Sequence, residues 1–342
     1  IMIAMIFEAA GAFIAGGEVV STIKGGIIDI KQFGTDTDSF IWAMMAALLA
    51  AALWLNLATM AGAPVSTTHS IVGGVMGAGM AAAGFGIVDW GTMGAIVSSW
   101  LISPLMGGII AALFLLAIKK TIIFRDDKIQ ASYRWVPIYV SVMAWAFVTY
   151  LILKGLGQVW GHWIDLINSL PLISLEAQSK PTFLTASLIG LIIGGLVFVL
   201  LKKTLRRNMS SMKNDRHSVN AQFTIPLIFA AALLSFAHGA NDVANAIGPL
   251  AAINDAIMSG GITDKAGIPL WVMAVGALGI AIGLGLYGPR LIRTVGGEIT
   301  ELDQMRAYSI AMAAALTVII ASQLGLPVST THIAIGGVFG VG

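Results

Sequence analysis

Long apolar runs, separated by short polar or glycine-rich stretches, set the pattern of this chain. Runs of the roughly 20 residues needed to cross a hydrocarbon core extend over Ile1–Val20, Phe40–Ala61, Gly91–Ile118, Tyr133–Leu153, Phe183–Leu201, Phe223–Ile253, Ile268–Gly288 and Ala307–Leu326. Two more, Val65–Gly84 and Val328–Gly342, each follow a proline directly. The pattern predicts an all-α membrane protein. Pro104, inside the run from Gly91, predicts a kink and not a stop, because neighbouring helices re-satisfy the carbonyl it frees.

Composition agrees: of 342 residues 57% are hydrophobic and only 11% charged, with a mean hydropathy of +0.89. Soluble domains carry about 25% charged residues. The net charge of +2 is too small for a nucleic-acid partner, and the absence of cysteine excludes disulfides and thiolate metal sites. Both ends of the sequence lie in apolar or glycine-rich stretches without a polar flank, from which a natural protein extending further on both sides is expected.

The two prolines open a repeated hexapeptide. Pro64-Val65-Ser66-Thr67-Thr68-His69 returns letter for letter as Pro327-Val328-Ser329-Thr330-Thr331-His332, 263 positions later. Comparison of Gly62–Gly79 with Gly325–Gly342 finds 12 identical positions of 18, which marks an internal duplication. Proline suits the first turn of a helix and Ser or Thr its cap, so each copy reads as a helix start. An apolar run precedes each copy, and the pattern is helix, break, helix, with hydroxyls in the break. At membrane depth such a break persists only where protein or a water-filled cavity surrounds it, and a binding site is the usual reason.

Lys and Arg in short loops orient the chain. Lys119, Lys120, Arg125, Lys128 and Arg134 follow one run, and Lys202, Lys203, Arg206, Arg207, Lys213 and Arg216 follow another two spans later. Both loops are therefore cytoplasmic. Lys154–Lys180 lies outside, where Trp160, Trp163 and Leu166 fit either a short interfacial helix or an exposed loop. Counting spans from these loops, the first hairpin enters from outside and the second, behind Arg290, Arg293 and Arg306, from the cytoplasm. The expected fold is thus an inverted-topology repeat with two re-entrant helical hairpins and broken helices at the midplane. It divides into 1–88 as the first repeat, 89–222 as connecting helices and basic loops, and 223–342 as the second repeat.

A second motif interrupts the run from Phe223: His238-Gly239-Ala240-Asn241-Asp242-Val243-Ala244-Asn245-Ala246, followed by Gly248-Pro249. Ionisable residues at membrane depth are costly and mark function by default. Asn241 and Asn245 share one helical face with Asp242 beside it, and their hard oxygens, joined by carbonyls near Gly239 or Pro249, suit sodium. The plainer alternative is polar adhesion between helices.

These motifs together resemble the inorganic phosphate transporter (PiT) family, as do Phe7-Glu8-x-x-Gly11-Ala12 and Gly16-Gly17-Glu18-Val19-Val20. The resemblance covers nearly the whole chain. It implies a sodium- or proton-coupled phosphate symporter built on inverted repeats, in which Ser66, Thr67, Thr68, Ser329, Thr330 and Thr331 hold phosphate and Asn241, Asp242 and Asn245 help hold sodium. The family carries the Asn-Asp motif in both halves, whereas this sequence has it once. The repeat offset places the other copy about two dozen residues before Ile1.

Neither motif contains Lys or Arg. The hydroxyls and two helix N-termini, worth roughly half a positive charge each, leave a phosphate dianion under-neutralised, and Asp242 enlarges the deficit. Mobile cations must fill that gap, and coupling then follows from electrostatics; the expected setting is a multi-pass protein of the cell membrane, with sodium as the co-transported ion that the resemblance implies. A proton-coupled carrier, a carrier of a related oxyanion such as sulfate, and a passive anion channel remain open alternatives, as does a homo-oligomer. No H-E-x-x-H or G-x-S-x-G motif supports an enzyme. Glu8 and Glu18 read either as coupling carboxylates or as snorkelling side chains. His69 and His332 read as capping or orienting groups ahead of a metal pair, and Trp42, Trp90, Trp135 and Trp271 as lipid-facing or interfacial residues. The inverted topology is testable: cysteine labelling is expected to place Asp36 and Arg293 on opposite sides of the membrane, and labelling from one side alone contradicts it.

Overall fold

In hydrocarbon there is no water to bond backbone N–H and C=O groups, so an apolar run satisfies its own main chain by becoming helical. The computed structural model describes residues 1–63, 65–155, 181–208, 212–262, 268–298 and 302–342, nearly all of them helical. The helices are α1 (Met2–Ala15), α2 (Gly17–Ser21), α3 (Thr37–Ala61), α4 (Thr67–Ala83), α5 (Trp90–Ile118), α6 (Lys128–Tyr150), α7 (Phe183–Asn208), α8 (Arg216–Gln222), α9 (Thr224–Asp242), α10 (Ala244–Ser259), α11 (Leu270–Glu298), α12 (Gln304–Gln323) and α13 (Thr330–Val341). Among the described residues seven helices are long and apolar enough to cross a membrane, and α1 with Val19–Gly26, bent by 71°, makes an eighth.

Two units emerge. The first comprises Ile1–Phe114, Ala231–Leu302 and Ser309–Gly342, and the second Leu115–Ala230 with Asp303–Tyr308. Within the second, α6 packs along α7, where the Trp145 indole donates to Ser187 at 3.0 Å. The Tyr308 hydroxyl donates to the Tyr139 carbonyl at 3.3 Å, and its ring meets Phe223 edge-on. Asn214 holds the Lys128 N–H and the Asp126 carbonyl, closing the start of α6.

The first unit holds both hexapeptides, and its two hairpins have the same local geometry. Beyond α3, Gly62 takes φ 72°, its N–H reaching the Thr59 carbonyl and that of Ala63 the Ala58 carbonyl. Beyond α12, Gly325 takes φ 66°, with the N–H groups of Gly325 and Leu326 on Ser322 and Ala321. Only glycine enters this left-handed region without strain. Ser66 then caps α4 by accepting the His69 N–H at 3.2 Å, and Ser329 caps α13 by accepting the His332 N–H at the same distance. Pro327 sits two residues ahead of that cap, so the expectation of proline in the first helical turn is corrected there; the serine hydroxyl, which needs extended backbone at its own position, decides where the helix starts. Pro64 lies outside the described residues.

The turn of the second hairpin is held from three sides. The Gly325 carbonyl accepts from the Thr22 hydroxyl at 2.8 Å, that of Pro327 from the Trp100 indole at 3.0 Å, and that of Val328 from the Thr68 hydroxyl at 3.0 Å.

Two breaks depart from the uniform apolar runs. The first run bends between α1 and α2, because a Cβ at Gly16 would overlap the Ala12 carbonyl and the Val243 side chain, so only glycine lets the chain turn there. The run from Phe223 divides at Val243, between α9 and α10. α1 and α9 cross at Gly11 and Gly239, where a Cβ on either would overlap the other helix's backbone. That closeness brings Glu8 to the motif. Pro104 stays inside an unbroken α5, so the expectation that it does not stop the helix holds. Trp42, Trp90 and Trp271 are exposed, in keeping with a lipid-facing role, whereas the proposed interfacial helix around Trp160 lies outside the described residues. Away from the hairpins, Lys24 in the π-helical turn Thr22–Gly26 pairs with Asp255 of α10, both buried.

Trp100→Phe keeps the ring but removes the donor to Pro327. Leaving a buried carbonyl unbonded costs about 1–3 kcal/mol, so a lower thermal midpoint is expected in detergent; an unchanged midpoint would mean the turn does not depend on that bond.

Candidate functional site

The two hexapeptides lie against each other. The rings of His69 and His332 are 4.8 Å apart between centroids, and Trp100 packs on His69 at 3.7 Å. α4 and α13 therefore begin side by side, each with its serine cap. A cap accepts through an oxygen lone pair and does not use the hydroxyl proton, so Ser66 and Ser329 keep donor capacity beside two helix N-termini. Ser329 and Thr330 are buried, and Thr331 is half-buried.

Thr67 and Thr68 bind protein groups of different kinds. The Thr67 hydroxyl donates to Asp242 Oδ2 at 2.8 Å. Thr68, completely buried, donates to the Val328 carbonyl of the other hairpin. Asn245 Nδ2 lies 3.2 Å from both hydroxyl oxygens. Each hydroxyl has given its proton to an acceptor, so the amide must be the donor, and its two N–H bonds hold one threonine each. The motif of the second half thus grips the hexapeptide of the first.

The motif's oxygens are left open in a consistent way. Asn241 donates its amide to Ser322 at 3.0 Å, and Asp242 Oδ2 also lies 3.3 Å from His238 Nε2. Three buried side-chain oxygens, Asn241 Oδ1, Asp242 Oδ1 and Asn245 Oδ1, have no donor from the protein. Buried acceptors are normally satisfied. Pro249, lacking an N–H, also cannot bond the Asn245 carbonyl four residues before it. Hard oxygens without donors, one of them anionic, are the donor set a small cation requires.

The structure also assigns places to residues whose role the sequence left open. Glu8 is buried and does not snorkel; its Oε1 lies 3.2 Å from His238 Nδ1, so the imidazole lies between two carboxylates, those of Glu8 and Asp242. His238 received no role in the sequence reading although it stands four residues before Asp242, one helical turn away, and that spacing was the available signal. Trp100, Ser322 and Thr22 carried no such signal, since their partners are remote in sequence. The His69 and His332 imidazoles contact each other, while their backbone N–H groups receive the caps. The Glu18 side chain lies outside the description.

A sequence model of the phosphate transporter family matches residues 1–342. A Helicobacter pylori protein whose name describes a phosphate permease is 53% identical over 346 residues, covering all of this chain, and the chain spans 61% of that relative's length. A similarly named Pyrococcus abyssi protein is 38% identical, with 79% of its length covered. A solved structure titled as the sodium-dependent phosphate transporter superposes with a TM-score of 0.87 at 32% identity, over all of this chain and 79% of the other. Matched from end to end by the family's sequence pattern and backed by relatives of which it covers four-fifths, the chain belongs to the phosphate transporter family.

Proposed function

We propose that this chain forms the transport core of a secondary active carrier that imports inorganic phosphate with sodium by alternating access. The observation that carries this reading is the trio of donor-less oxygens on Asn241, Asp242 and Asn245, one hydrogen bond away from Thr67 and Thr68 of the first hairpin. Sodium, as co-substrate, is held by those oxygens. Phosphate is held by the hydroxyls of Ser66, Thr67, Thr68, Ser329, Thr330 and Thr331 together with the N-terminal amides of α4 and α13. Within that set, Ser66 and Ser329 carry the most donor capacity, and Thr68 acts chiefly by joining the hairpins. The relatives' names and the solved neighbour's title support the choice of ions. The inverted repeat, with its halves at 1–88 and 223–342, supplies the alternation and belongs to the same proposal.

Electrostatics explains why the two ions travel together. Two helix N-termini contribute roughly one positive charge in all, and the carboxylate of Asp242 offsets most of it. A phosphate dianion alone would leave buried negative charge, and sodium alone would fill only part of the site. The empty and the fully loaded carriers are the low-energy states for reorientation.

The direct test is uptake into vesicles: phosphate accumulates against its gradient only when an inward sodium gradient is imposed. Accumulation driven by a pH gradient without sodium would move the reading to proton coupling, and equilibration without accumulation would make the protein a channel. Ser66→Ala and Ser329→Ala are each expected to weaken phosphate binding by about 1–3 kcal/mol, the scale of a hydrogen bond to a charged acceptor; normal binding in both would reduce the serines to helix caps. Asp242→Asn is expected to raise the sodium concentration for half-maximal uptake while preserving the preference for phosphate over sulfate. Loss of that preference at unchanged sodium demand would make Asp242 an anion-site acceptor instead.

A further inference from the structure

We infer that Thr67 is the coupling element of the carrier: its single hydroxyl proton is shared in time between Asp242 and phosphate, and cation binding decides which acceptor receives it. The inference rests on the phosphate and sodium reading above. It starts from an asymmetry between two adjacent threonines. Thr68 gives its proton to a main-chain carbonyl, that of Val328, which no ion in the cation site neutralises. Thr67 gives its proton to Asp242 Oδ2, an oxygen of the carboxylate whose other oxygen is one of the open three.

The single hydroxyl proton makes the choice exclusive. Asn245 donates to Thr67 through a lone pair and fixes the oxygen in place, while the proton remains free to turn from one acceptor to the other. Without a cation the carboxylate holds that bond strongly, as charged acceptors do. Phosphate can then gain the Thr67 proton only by stripping it from a buried carboxylate whose remaining neighbour on Oδ2 is His238. A cation at Oδ1 offsets the carboxylate's charge, weakens its hold and lets the hydroxyl turn to the anion. Sodium and phosphate thus meet at one rotor as well as through space. Coupling of this kind is reciprocal, so phosphate must raise sodium affinity by the factor by which sodium raises phosphate affinity.

The experiment uses the purified full-length protein, with phosphate binding measured by calorimetry at zero and at saturating sodium, and sodium binding with and without phosphate. The readout is the ratio of the two phosphate dissociation constants. In Thr67→Val, which keeps the shape and removes the hydroxyl, this ratio is expected to shrink by about tenfold, the weight of one charge-assisted hydrogen bond, while the through-space attraction persists. Thr67→Ser, which returns a hydroxyl, restores the ratio. Thr68→Val weakens phosphate binding by the same factor at both sodium levels. If Thr67→Val does not fold, Thr67→Ala provides the same measurement without the branched side chain. A Thr67→Val ratio equal to that of the unmodified protein overturns the inference and leaves Thr67 an ordinary ligand. A ratio of one in the unmodified protein instead overturns sodium coupling itself, so the two failures are distinguishable.

Discussion

Main-chain carbonyls outside a helix have no partner in hydrocarbon, and the first unit is arranged around that requirement. Three carbonyls of the second hairpin's turn, at Gly325, Pro327 and Val328, face donors from three separate elements: Thr22 beyond α2, Trp100 on α5 and Thr68 at the start of α4. Each donor brings its element to the turn. That convergence is what satisfies non-helical backbone within an otherwise helical unit. Thr68 stands at the centre, because the residue that satisfies the Val328 carbonyl is held from behind by the amide of the Asn-Asp motif.

A similar economy governs the polar side chains. In the Asn-Asp motif the amides of Asn241 and Asn245 donate to identified neighbours while their side-chain oxygens and Asp242 Oδ1 have no donor, so the motif has a chemical direction, that of an acceptor. Around the hexapeptides the direction is opposite, with hydroxyls and helix N-termini offering hydrogen. The two regions touch through Thr67, which joins the acceptor side to the donor side. The crossing at Gly11 and Gly239 brings α1 close against α9 and sets Glu8 beside His238.

Much of this was legible in sequence where the cause is local. A serine cap and a left-handed glycine depend on a few consecutive residues, so the duplicated hexapeptide foretold two matching hairpin starts, and only the place of proline was misjudged. The open oxygens of Asn241, Asp242 and Asn245 followed from residue type, whereas the expected shared helical face is divided by the break at Val243, between α9 and α10. Pairings across long separations were not legible. Nothing in the string ties Thr67 to Asp242, 175 positions apart, or Trp100 to Pro327, 227 apart. The bend at Gly16 was hidden because an apolar run has the same composition whether it is straight or broken. His238 was the avoidable omission, since its one-turn spacing from Asp242 is visible to anyone counting.

The buried pair of Lys24 and Asp255 constrains how such proteins diverge. Losing one partner of a buried pair inside an apolar unit typically costs about 3–5 kcal/mol. Replacing both with well-packed apolar residues is often harmless. Descendant sequences should then hold both charges or neither, and an intermediate with one would be a valley between two peaks. A buried pair outside the two motifs thus limits which substitutions a lineage can accept one at a time.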